Sequence, residues 1–200
     1  RVSYNFRKPE RGEIIVFETK TIDGIEPDLF YIKRLTGLPG ETLSLGDDRH
    51  LIIKNNTWPE GQRLDASHHP FEYVYSFNVG DNVQPARDSH FSGHTNQKTF
   101  NEYLQQERER IANDRGVHPS QIALTYGRII SPLYMDESSE FEVPPNRYAA
   151  MGDNTVSSKD SRDWGSLPAE NIFGKASFIY WPFLGQKSRT RPYRFGWAFQ

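Results

Sequence analysis

Apolar residues in this chain come in short runs that are repeatedly broken by turn formers, and this pattern most constrains the fold. The longest runs are residues 14–17 (IIVF) and 178–184, and Pro182 interrupts the second. Neither approaches the ~18 residues of a membrane-spanning helix. No signal peptide is read at the start of the chain. Short β-rich runs bounded by Gly, Pro, Asn and Asp predict strands joined by tight turns. Candidates are residues 14–17, 29–35, 43–45, 51–53, 141–143, 147–151 and 175–181. The GDD turn at residues 46–48 predicts a hairpin between two of them. Residues 71–79 (FEYVYSFNV) alternate apolar and polar, as a half-buried strand does. One helix is predicted over residues 99–113. Phe100, Tyr103, Leu104 and Ile111 form its stripe, Thr99 and Glu102 its capping box, and Gly116 follows its end. A further helical turn is expected over residues 120–123. The fold class is therefore mainly β, antiparallel, with one or two helices.

Composition narrows the function. Lys plus Arg is 24 and Asp plus Glu is 26, a formal net charge of −2. That balance argues against nucleic acid as the main partner. Cysteine is absent, which excludes thiol catalysis, disulfides and thiolate metal sites. Among six histidines, His90 and His94 have a spacing that binds zinc on a helix. Ser92 and Gly93 between them disfavour helix, so these and His68–His69 are read as solvated loop histidines. No metal or cofactor is expected.

Two segments carry chemistry. In an extended strand, Lys33 shares a face with Leu29, Tyr31 and Leu35, while Phe30, Ile32 and Arg34 share the other. Burial lowers a lysine pKa and makes a neutral general base; the alternative is a strand lysine whose stem snorkels along the sheet. The second segment, residues 151–165 (MGDNTVSSKDSRDWG), is a polar loop between apolar strands. Asp160 and Arg162 are spaced to pair or brace a turn. Ser157, Ser158 and Ser161 offer hydroxyls, and Gly152 suits a close backbone approach. An Asx/Ser turn with surface charges explains the same residues.

Together, YIKRLTGLPGE (residues 31–41) and MGDNTVSSKDSRDWGSLPAENIFGKA (residues 151–176) resemble the type I signal peptidases. RGEIIVF (residues 11–17) matches that family's strand box, and the three boxes stand in the family's order. The resemblance implies an antiparallel β-sheet catalytic domain and a Ser/Lys-dyad endopeptidase. Such enzymes remove signal peptides after small residues at −1 and −3. It puts the general base on Lys33 and the lysine-orienting hydroxyl on Ser158. Asp160 and Arg162 support the site, and Gly152, Asp153 and Asn154 shape its loop. Thr155 and Val156 depart from the polar residues common there. The chemistry agrees, since a serine hydroxyl needs an adjacent base.

The family's nucleophile lies in an S-M-x-P type box upstream of RGEIIVF, and no such box is present. Ser3, in the context V-S-Y-N, is not assigned that role. The chain is expected to begin after that box, without the membrane anchor and part of the oxyanion hole, and to be inactive alone. The expected organisation is a first core part over residues 1–54, a variable insertion over 55–145, and a second core part over 146–200. The expected location is the plasma (inner) membrane, with the catalytic domain on the extracytoplasmic side. The alternatives are a non-catalytic relative that binds exported chains or an envelope partner, and a processing peptidase of conjugation systems or self-cleaving repressors. The basic, aromatic tail over residues 186–200 is read as a last strand, with an anionic membrane surface as the alternative.

Overall fold

The computed structural model describes residues 7–47, 49–64, 68, 71, 78–79, 82–83, 94, 97–123, 138–153, 158–176, 178–179 and 196–197. In chain order the strands are β1 (Ile14–Glu18), β2 (Phe30–Gly37), β3 (Thr42–Leu45), β4 (Leu51–Lys54), β5 (Gln62–Arg63), β6 (Asn78–Val79) and β7 (Asn82–Val83). Helix α1 (Gln97–Arg115) follows, then a 3₁₀ turn at Pro119–Gln121, β8 (Phe141–Glu142) and β9 (Arg147–Met151). A single helical turn α2 (Ser161–Trp164), β10 (Leu167–Pro168), β11 (Ile172–Lys175), β12 (Phe178–Ile179) and β13 (Gly196–Trp197) complete the described chain. The fold is mainly antiparallel β with few helices.

Two sheets matter for the site. The first has the order β10-β9-β2-β1-β11 and the second β5-β4-β3-β8. In the first, Ile15 and Phe17 point inward from β1 and meet Leu35, Tyr148, Ala150, Trp164, Leu167 and Ile172. In the second, Leu43, Leu45, Leu51 and Ile53 gather with Leu64, Phe71, Phe141 and Val143. Burying an aliphatic side chain in such a cluster contributes about 1.5–3 kcal/mol. Strand β9 is the wall between the two cores. Tyr148 and Ala150 face the first cluster, Ala149 and Met151 the second, so RYAAM shows no apolar–polar alternation. Gly37 lies at the same junction. A Cβ there would sit 2.6 Å from Leu43 Cδ1 and 3.0 Å from the Ala149 Cβ.

The boxes read in the sequence lock to one another. Arg11 forms an ion pair with Glu41 and donates from Nη1 to the Thr36 carbonyl at 2.7 Å. Glu41 also accepts from the Leu38 backbone N–H and from Asn55. The predicted hairpin is present: β3 and β4 pair Leu43 with Ile53 and Leu45 with Leu51. The helix is longer than its apolar stripe predicted, with Leu104 against the second core and Gly116 past its end. The side chains of Phe100 and Tyr103 lie outside the described residues, as do most of residues 71–79 and of the tail.

One strand boundary differs from the sequence reading. The strand expected to begin at Lys175 ends there, because Ile172 is buried opposite Phe17 and pairs β11 with β1. Phe178–Ile179 instead pairs with Gly196–Trp197 in the tail.

Candidate active site

The register of the first sheet brings the two chemical segments together. Strand β2 lies between β1 and β9, with Ile15 opposite Lys33 on one side and Met151 opposite Arg34 on the other. Residues 152 and 153 therefore leave β9 beside Lys33 and Arg34. Alternation sends these two cations to opposite faces of β2. Arg34 is almost fully buried. Its Nε and Nη2 donate to the two Asp153 carboxylate oxygens at 2.7 and 2.6 Å, and its Nη1 to the Gly12 carbonyl at 2.9 Å. This two-pronged pair ties the start of the loop to the sheet across 119 residues of chain.

Asp160 ties down the other end. It caps α2 by accepting from the Arg162 backbone N–H, while Asp163 accepts from the Asp160 N–H. Arg162 folds back so that its Nε and Nη2 donate to Asp160 at 2.8 and 2.6 Å, and both side chains are fully buried. The pairing suggested by the spacing of these residues is thus present. Asp160 also accepts from the Gly152 N–H at 3.0 Å, and Ser161 Oγ accepts from the Ala150 N–H at 2.8 Å. Burial alone would raise the Asp160 carboxyl. Arg162, the Gly152 N–H and His94 outweigh it and hold the carboxyl well below the usual range.

Gly152 and Ser158 touch where Lys33 passes. A Cβ at residue 152 would lie 2.0 Å from Ser158 Oγ, 2.5 Å from Ser158 Cβ and 3.6 Å from Lys33 Cδ. Ser158 is buried, and its hydroxyl has no hydrogen-bond partner among the described residues. Lys33 is half-buried. Its Nζ donates to the Ile32 carbonyl at 3.3 Å and lies 5.0 Å from the Tyr31 ring centre, and it makes no hydrogen bond to the Ser158 hydroxyl. Burial pushes the amine below the ordinary lysine value. Asp160, Asp163 and Asp153 oppose that shift, and Arg162 adds to it. The residues can therefore supply a partly desolvated amine and a nearby hydroxyl, held by two buried ion pairs.

Of the residues singled out in the sequence, Lys33, Gly152, Asp153, Ser158, Asp160 and Arg162 fall in this one region. Asn154 and Ser157 lie outside the described residues, as do Ser3, His69 and His90. Among the described residues, no group of three His, Asp or Glu side chains is placed to hold a metal ion. No helix among them is long and apolar enough to cross a membrane. His94 is buried rather than solvated, and its backbone N–H, donating to the Arg49 carbonyl at 2.8 Å, sets it against the β3–β4 turn. Sequence reasoning missed the support given by Arg34 and Asp163, and offered Ser161 only as a hydroxyl. The capping box of α2 was legible as D-x-x-D. Nothing local pointed from Arg34 to Asp153.

A family model described as "Signal peptidase, peptidase S26" matches residues 1–181. The chain belongs to this signal peptidase family. Signal peptidase I of Rickettsia typhi is 30% identical over 175 residues, covering 87% of this chain and 53% of the relative. Signal peptidase I of Buchnera aphidicola subsp. Baizongia pistaciae is 27% identical over 190 residues, covering 92% of this chain and 59% of the relative. The chain therefore spans little more than half the length of these curated relatives. A crystal structure of a signal peptidase I from Enterococcus faecalis aligns with a TM-score of 0.44 at 23% identity, over 84% of this chain and 97% of that one.

Proposed function

We propose that this chain supplies the general-base side of a Ser/Lys-dyad signal peptidase that cuts exported proteins after small residues at −1 and −3. One observation carries the reading: the half-buried Lys33 stem and the unpartnered, buried Ser158 hydroxyl border the same glycine, Gly152. In the proposed reaction a serine hydroxyl, from a segment outside the three boxes, gives its proton to neutral Lys33 Nζ. Its Oγ bonds to the scissile carbonyl carbon. The protonated amine then gives that proton to the leaving nitrogen as the C–N bond breaks. Water, deprotonated by the same amine, bonds to the ester carbon, and the amine returns the proton to the serine oxygen as the C–O bond breaks. Ser158 accepts from or donates to Nζ and fixes its direction after the amine leaves the Ile32 carbonyl. Asp160 with Arg162, and Asp153 with Arg34, hold the loop that carries Gly152 and Ser158. The division into core parts over 1–54 and 146–200 with an insertion over 55–145, the membrane location and the membrane anchor belong to the same proposal.

The test sequences the coding region upstream of residue 11 and, where it encodes an S-M-x-P type box, uses the longer product. That product should cleave a signal-peptide substrate, and Lys33→Met should abolish the cleavage. Cleavage retained in that variant overturns the dyad. A longer reading frame without that serine, which binds signal peptides but does not cut them, replaces the enzyme with a binding module.

A further inference from the structure

Among the described residues of the stretch 55–145, Phe71 lies against the cation that anchors the site loop. Phe71 is 1% exposed, and its ring centre lies 6.0 Å from the Arg34 guanidinium carbon. A cation–π contact gains most where both partners are dry, and Arg34 is 2% exposed. Asp153 keeps a partly exposed side chain. The geometry of its pair therefore depends on how firmly the guanidinium is held, and the Phe71 ring is the aromatic group that the guanidinium carbon lies over. Asp153 and Asp160 are the two anchored ends of the loop segment, each closed by its own guanidinium.

We propose that Phe71 is a positioning residue, through which the stretch 55–145 braces the Arg34–Asp153 pair and so holds Gly152 against Lys33. Its catalytic meaning rests on the reading of Lys33 given above, whereas the bracing itself does not. The stakes are geometric: a displacement of about 1 Å in a reacting constellation costs on the order of a hundredfold in rate.

The experiment measures hydrogen exchange at the Nε–H of Arg34 and of Arg162 in the ¹⁵N-labelled 200-residue chain, since each donates to one of the two carboxylates. Phe71→Leu keeps an apolar side chain and removes the ring. It should speed exchange at Arg34 about fivefold and leave Arg162 unchanged. Unchanged protection of the Ile15 and Leu43 backbone amides reports an intact fold. If Phe71→Leu loses it, Phe71→Met takes its place. In the longer product, the substitution should lower kcat about tenfold with KM little changed. Wild-type exchange at Arg34 in a folded variant overturns the proposal, as does faster exchange with an unaltered kcat. If the unsubstituted longer product cleaves no signal peptide, the reading of Lys33 fails, and the exchange rates alone decide whether the brace exists.

Discussion

Replacing Gly152 with Ala tests whether the contact between this glycine and Ser158 defines the site. The new methyl carbon would sit 2.0 Å from Ser158 Oγ and 2.5 Å from Ser158 Cβ. Favourable contacts between carbon atoms lie at about 3.5–4.0 Å. Rotating the serine relieves only the first overlap, because its Cβ does not move with χ1. The rest requires a backbone shift of about 1 Å at residue 152 or 158, judged against that contact distance. The Gly152 N–H is held by Asp160, and Ser158 stands two residues before that fully buried carboxylate. Overpacking of this kind costs about 1–3 kcal/mol, which is about 2–12 °C in melting temperature for a domain of this size. Urea unfolding should show a lower midpoint with an unchanged slope. Ser158→Gly removes both clashing atoms. The double variant should therefore be more stable than the sum of the two single losses by about 1 kcal/mol or more. Wild-type stability in Gly152→Ala, or strict additivity in the double variant, would refute the reasoning.

Asp160→Asn leaves Arg162 buried without its counter-charge and should cost about 3–5 kcal/mol, read by urea unfolding. Because the folded Asp160 carboxyl is held below its unfolded value of about 3.9, its contribution is complete above that pH and lost as pH falls below it. Subtracting the Asp160→Asn stability profile from that of the wild type should expose this acid slope, and parallel profiles below pH 4 would contradict it. Lys33→Met should keep or raise stability at pH 7, because burial disfavours the charged amine. Relative to that variant, the wild type should gain stability as pH rises from the lowered lysine value toward the ordinary ~10.4. Gly37→Ala should destabilise the junction of the two cores by about 1–3 kcal/mol in thermal melts, since Leu43, Val143 and Ala149 crowd its Cβ position.

Local chemistry in the sequence determined the strand-dominated class, the β3–β4 hairpin, the presence of α1 and the family boxes. A strand announces itself by β-branched runs and a turn by Gly, Pro and Asp, and these are signals between chain neighbours. The same locality made Lys33 and the residues 152–162 legible as candidates, and it placed Asp160 next to Arg162. It misplaced the strand at Lys175, because Ile172 becomes strand only by burial against Phe17. It could not find the role of Arg34, whose carboxylate partner lies 119 residues away. Nor could it separate buried His94 from a solvated loop histidine. Only the tertiary structure decided that Lys33 is partly desolvated, that Ser158 faces Gly152, and that β9 serves two cores at once. Desolvation and packing depend on what lies across a sheet, and the folded register alone brings those distant residues opposite one another.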